Sequence, residues 1–229
     1  IGIGRGPVEI LLVVYEIVAD PALFEGLDPY VAVPAVKKAV KMGESNACMK
    51  RIVAAPTAGS CGVIPAVLIT YEEEKKISQD KIVEALYVAG GIGEVLAESA
   101  AISGAKGGCQ AEIGSASAMA AGAIAYLEGG DNETIAHAAA LALKNMLGLT
   151  CDPVGGLVEV PCIKRNVSGA VNAIIASQMA IAGIRSKIPP DEVIESMRRI
   201  GDLLPECLRE TSKEGLAVTP TALEKMKLL

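Results

Sequence analysis

Six cysteines stand at positions 48, 61, 109, 151, 162 and 207, and three of them differ from the rest in setting. Cys109 lies in "KGGCQAE", Cys151 in "TCDPVGG" and Cys162 in "EVPCI", each in or beside backbone rich in glycine or proline. Thiolates converging from such segments can hold a metal ion or an iron–sulfur centre. Their spacing matches neither the close Cys-x-x-Cys runs of ferredoxins nor those of structural zinc sites. Spacing alone therefore leaves a small core filler open for each. Cys48 and Cys207 fall in helix-like contexts and are expected to be such fillers, because a free cysteine buries readily.

Two other features bear on chemistry. In "PTAGSCG" (Pro56–Gly62) successive turn amides can form a concavity for an anion, with an ordinary tight turn as the alternative. The stretch lacks the Gly-Lys-Ser/Thr ending of a P-loop, and no dinucleotide fingerprint sits between a strand and a helix. The only histidine, His137, comes four residues after Glu133 and so shares its helix face. It reads as a helical histidine beside a glutamate, and one histidine cannot build a histidine-based metal cluster.

The elements that must position these groups read as helices. Of the 229 residues 51% are hydrophobic but only 3% aromatic, with 24 glycines, which points to closely approaching helices. Residues 31–50 read as a helix entering after Pro34 and loosened around Gly43. Pro56, Gly59, Gly62 and Pro65 disrupt any regular element, and Ala66–Tyr71 is apolar and buried. Helical patterns follow over 80–101 (interrupted at Gly90, Gly91 and Gly93), 117–128, from an Asp131 or Asn132 cap to near Gly148, and over 164–184. Another starts at Pro189–Pro190. Residues 7–19 can be helix or strand, with a loop following. The polar, glycine-rich stretch 103–116 reads as irregular backbone between two apolar helices, and the charged tail after Lys187 as an outer layer. The fold class expected is all-α, one helical domain over 1–229 with Gly/Pro-rich loops around the cysteines.

The same composition excludes several classes. The formal net charge of -6 and the absence of a basic block argue against nucleic-acid binding. Residues 113–127 are too short to span a membrane, and 166–184 carries Asn166, Asn172 and Gln178, so both are expected to be buried helices. Six cysteines without dense spacing fit a reducing cytoplasm better than a secreted disulfide framework. The sequence begins without Met, so upstream residues are expected to be missing.

Three segments, "RIVAAPTAGSCGVIPAVL" (51–68), "SGAKGGCQAEIGSASAMAAGA" (103–123) and "CDPVGGLVEVPCIKRNVSGAVNA" (151–173), resemble the signature regions of one family. It is the α subunit of the iron–sulfur-dependent bacterial L-serine dehydratases, and the likeness runs from about residue 31 to the end. The resemblance implies a helical domain, a [4Fe–4S] cluster held by Cys109, Cys151 and Cys162, and conversion of L-serine to pyruvate and ammonia without pyridoxal phosphate. Three thiolates would leave one iron open as a Lewis acid. Thr57 and the backbone of Ala58, Gly59 and Gly62 would hold the substrate carboxylate. Thr57 and Lys106 are the catalytic candidates, Lys106 as carboxylate partner or base, with a solvated loop lysine as the alternative. Glu112 would hydrogen-bond near the cluster or cap the next element; Cys61 would be a bystander or a redox-sensitive spot.

The family's two-subunit forms add a separate β chain, so a heterodimer or larger assembly is expected, with self-association of the isolated chain left open. Some single-chain relatives end in a cysteine that fills the open iron site; this sequence ends "EKMKLL" and is not expected to do so. The alternatives are a related cluster-dependent lyase such as a cysteine desulfidase, or a non-catalytic redox-sensing subunit.

Overall fold

Alanine has the best intrinsic helix propensity, and its small side chain lets helix axes approach closely. The structure, a computed structural model, describes residues 29–227. Within them run α1 (Pro29–Ala47), α2 (Val63–Glu74), α3 (Gln79–Ser99), the short α4 (Gly104–Gly107), α5 (Ser115–Leu127), α6 (Asn132–Lys144), α7 (Cys162–Ile181), α8 (Pro190–Leu203) and α9 (Pro220–Met226). The β pairing among the described residues is one isolated parallel bridge, Cys151 with Arg209. The fold is all-α, as expected.

Helix α5 forms the centre. Every residue from Ser115 to Ala125 is buried, enclosed by α2, α3, α6 and α7, while α1 packs on α2 and α7. Gly169 of α7 touches this layer so closely that a Cβ there would lie 2.9 Å from Ile113 and 3.0 Å from Val63. Two of the polar residues in the apolar stretch 166–184, Asn166 and Asn172, have side-chain partners in other segments. Asn172 Nδ2 donates to Ser117 Oγ at 2.8 Å and to Ala142 O at 2.9 Å, and Ser117 Oγ donates to Gly169 O at 2.9 Å. One amide and one hydroxyl thus tie α5, α6 and α7 together. No helix among the described residues is long and apolar enough to cross a membrane.

Several expected boundaries shift, and close packing accounts for two of the changes, at Gly43 and Gly93. Helix α1 begins at Pro29 and carries Pro34 inside it, at the loss of one intrahelical hydrogen bond. It does not loosen at Gly43. There α1 approaches α7 so closely that a Cβ would lie 3.2 Å from Ile163 Cα. Helix α3 runs unbroken through its glycines: Gly93 lies against Met119, whereas Gly90 and Gly91 face open space. Residues 103–116 are largely helical, with α4 followed by a π-helical turn, Gln110–Gly114, leading into α5. Asp131 is the cap of α6, its Oδ1 accepting from Thr134 N at 2.8 Å, and the chain turns at Gly148 with φ +83°. Helix α8 starts on Pro190 as expected and buries Val193, Met197 and Gly201 along one face. The expectations for 7–19 and for most of the loop after it lie outside the described residues.

These two kinds of glycine should respond in opposite ways to alanine. Gly91→Ala removes backbone freedom in an exposed helix and should stabilise by roughly 0.5–1 kcal/mol. Gly169→Ala overfills the contact with Ile113 and Val63 and should destabilise by about 1–3 kcal/mol. Urea unfolding of the two variants beside the parent measures both signs.

Candidate metal centre

Each cysteine of interest reaches the interior from a break between helices. Cys109 follows α4, where Gly108 takes φ +75°; a Cβ on Gly108 would lie 2.7 Å from Leu149 O. Cys151 lies in extended backbone between α6 and α7. Its N–H donates to Leu208 O at 2.9 Å and its carbonyl accepts from Glu210 N at 2.7 Å. Cys162 opens α7 after Pro161, so it stands at a helix N-terminus rather than in a loop. All three are buried.

The ligand atoms of Cys109, Glu112 and Cys151 lie within 4.8 Å of one another. Cys162 falls outside this tight set but is electrostatically coupled to Cys109. Gly104 leaves room beside the sulfurs, since a Cβ there would come 2.8 Å from Cys151 Sγ. The Cys151 thiol donates to Cys109 Sγ, which pulls Cys109 down, against burial and with help from Arg165, and pushes Cys151 up. Burial, and next the charge at Cys109, push Cys162 up to about 12. Burial also raises Glu112, against the hydrogen bond from Thr57. The cation acting on these groups is Arg165. Its Nη1 donates to Cys109 Sγ at 3.2 Å and to Thr150 O at 2.7 Å, and its Nη2 to Asp152 Oδ1 at 2.8 Å. Burial opposes the charge of Arg165, but Cys109 and Asp152 together outweigh it and raise the guanidinium further.

The loop 56–62 is held against this centre by Asn166 of α7. Asn166 Oδ1 accepts from Gly62 N at 2.8 Å, and Nδ2 donates to Gly59 O at 2.7 Å and Cys162 O at 2.9 Å. Thr57 Oγ1 donates to Glu112 Oε1 at 2.5 Å. Gly59 must be glycine here, because a Cβ would sit 2.5 Å from the Glu112 carboxylate. Thr57, Gly59 and Gly62 are therefore gathered around Glu112 and Asn166, and the amides of Ala58, Gly59 and Ser60 have no hydrogen-bond acceptor among the described residues.

Lys106 is exposed at the end of α4 and lines a cavity of about 180 Å³ with Met197, Arg198 and Asp202. It takes no part in the hydrogen bonds of the thiol cluster. Cys61 is buried, and burial raises its thiol. Cys48 is exposed just beyond α1 and Cys207 is half-buried in a short turn, so neither is the core filler expected. His137 has the bland role expected, its Nδ1 accepting from Ser186 N at 3.2 Å with Glu133 Oε1 3.7 Å from Nε2. Sequence reasoning missed Arg165, Asp152 and Glu210. The signal for Arg165 was there: "CIKRN" sets three polar side chains in a row near the start of a helix whose later buried positions are small or apolar. Nothing local marked Glu210, which the tail brings back over Cys151.

Helices closing around a buried set of thiols and one carboxylate define a class of domain built to hold a metal centre. Residues 15–217 match the family described as serine dehydratase alpha chain, and the chain belongs to that family. Its relatives include the probable L-serine dehydratase alpha chain of Bacillus subtilis (strain 168). That protein is 56% identical over 193 residues, covering 84% of this chain and 64% of the relative. The probable L-serine dehydratase alpha chain of Latilactobacillus sakei is 50% identical over 193 residues, 84% of this chain and 92% of the relative. The L-serine dehydratase of Streptomyces coelicolor is 47% identical over 182 residues, 79% of this chain and only 40% of the relative.

The Asn166 link carries a measurable load. Asn166→Ala strands the Gly62 N–H and the Gly59 carbonyl in a largely buried place, and should cost about 1–3 kcal/mol for each group that stays unpaired. The midpoint of denaturant unfolding reads this. A midpoint equal to the parent's means water replaces the amide and the link is dispensable.

Proposed function

We propose that residues 1–229 act as one helical catalytic domain that converts L-serine to pyruvate and ammonia, using a [4Fe–4S] cluster and no pyridoxal phosphate. The observation that carries this reading is the burial of three thiols from separate segments around Glu112 and Arg165. The donor set fits the group. Soft thiolates suit iron–sulfur centres, and Gly104 keeps a side chain out of the space beside Cys151 Sγ. A single ion needs all its ligands in one coordination sphere, whereas a cluster spreads its anchors over several irons. Cys162, set apart from the tight group, fits the second arrangement.

Cys109, Cys151 and Cys162 would hold the cluster. When bound, it supplies an open iron that acts as a Lewis acid on the substrate hydroxyl. The chain's own residues do the rest. The amides of Ala58 and Gly59, without an acceptor among the described residues, would bind the serine carboxylate, a use of turn amides that needs no cation. Gly62 and Thr57 shape this loop, the first through Asn166 and the second by orienting Glu112. Glu112 is the buried group placed to accept and hold a proton at its carboxylate oxygen, in preference to the exposed Lys106. Loss of the α-proton and of the β-hydroxyl leaves aminoacrylate and water. Its imine tautomer then takes up water to give pyruvate and ammonia.

A separate β chain fits the surface around the site. Met49 is 92% exposed and Val53 72%, both on the approach to the 56–62 loop, and Leu157 and Val160 are exposed between Cys151 and Cys162. A partner of matching apolar surface would cover them and exclude water. Six unpaired cysteines fit a reducing cytoplasm as the place of action.

Three outcomes test the reading. After anaerobic reconstitution, Cys109→Ala, Cys151→Ala and Cys162→Ala should each lose most bound iron and sulfide and all serine-dependent pyruvate, whereas Cys48→Ala and Cys207→Ala keep both. Equal iron in all five variants rules the ligand set out. Pyruvate release should also rise as a cognate β chain is titrated in, up to equimolar amounts. Full turnover by the isolated chain that added β leaves unchanged removes the partner from the proposal. Faster release of sulfide from L-cysteine than of pyruvate from L-serine would move the activity to the desulfidase class.

A further inference from the structure

We propose that Arg165 is a positioning residue which holds the Cys109 sulfur and the C-terminal strap, residues 208–216, in one frame. The inference deepens the cluster reading on its sulfur side and is independent of it on its strap side. Arg165 stands one turn after Cys162, and its guanidinium reaches the other two cysteine segments together: Cys109 through its sulfur, and the Cys151 segment through Thr150 O and Asp152. Side-chain exposure is only 15% for Arg165 and 5% for Asp152. The second Asp152 oxygen, Oδ2, accepts from Leu216 N at 2.8 Å. Gly215, at φ +69°, brings the strap so near that a Cβ there would lie 2.5 Å from that oxygen. The strap meets Cys151 again through Leu208 and Glu210, and Glu210 itself is held at φ +64°, a conformation that a non-glycine residue keeps only when its surroundings impose it.

One planar fork thus links three thiol-bearing segments and, through one carboxylate, the strap above them. Lysine cannot copy this, because its point charge lacks the fixed second and third donors. At the sulfur, an N–H donor draws electron density away, and hydrogen bonds to ligand sulfurs are among the factors that set cluster potentials.

The test compares the parent with Arg165→Lys, which keeps the charge and loses the fork, and Arg165→Met, which loses both. Amide hydrogen exchange over 208–216 is followed in the metal-free chain. The midpoint potential is then measured by anaerobic redox titration, monitored by electron paramagnetic resonance, after reconstitution with iron and sulfide. Exchange at Leu216 should quicken about tenfold or more in Arg165→Met, the effect of losing a charge-assisted hydrogen-bond link, with Arg165→Lys between. The midpoint should fall in the order parent, Lys, Met. If either readout in Arg165→Met equals the parent's, the proposal is overturned; should that variant fail to fold, Arg165→Lys decides by the same comparison. A parent chain that takes up no iron defeats the cluster reading, and exchange at Leu216 then decides the role of Arg165 alone.

Discussion

Hydrogen bonds sent outward by two consecutive residues one turn into α7 hold the site in place. Arg165 and Asn166 direct their donors at the backbone, sulfur and carboxylate of other segments, while α7 itself is anchored by its buried face. Asn166 fixes the loop that carries Thr57 and Gly59, and Thr57 in turn fixes Glu112. The segments bearing Cys109 and Cys151 meet at Arg165. Irregular backbone near a buried centre brings many polar groups that need partners, and one helix end supplies partners for Thr150 O, Gly62 N and Gly59 O. The site thus draws on a loop, a π-helical turn and a helix start, and one helix positions them.

That helix can serve as the frame because the core around it is built from small side chains. Gly43 lets α1 rest on Ile163, and Gly169 lets α7 rest on Ile113 and Val63. With few aromatic residues to fill gaps, the interior depends on axes lying close together. The Asn172–Ser117 link then adds direction to an interface whose alanines could otherwise slide. A protein interior is packed like a molecular crystal, so a displacement of α7 would reach the cysteines without much loss on the way.

The helical class was legible from the sequence, since alanine-rich runs, proline starts and glycine stops all signalled in the same direction. The Asp131 cap and the turn at Gly148 were readable because their chemistry is local. Glycines misled where their reason was long-range. Gly43 looked like a weak point, but its role is set by Ile163, more than a hundred residues away in sequence. The carboxylate next to the thiols was visible as a residue, yet not as the partner of Thr57, because no spacing rule links positions 57 and 112. Glu210 carried no local mark at all. Contacts of this range appear only once the chain has folded back on itself.

The return of the tail over Cys151 bears on the order of events during synthesis. A ribosome releases the chain from its N-terminus, and domains fold as units once enough of the chain has emerged. Cys109, Cys151 and Cys162 therefore leave the exit tunnel before Leu208 and Glu210 can pair with Cys151, and Leu216 with Asp152. Between those moments the thiols sit in a half-built pocket, open to whatever the cell brings. Closure of the strap over Cys151 is thus a late event in synthesis, one that waits until all three cysteines have been made.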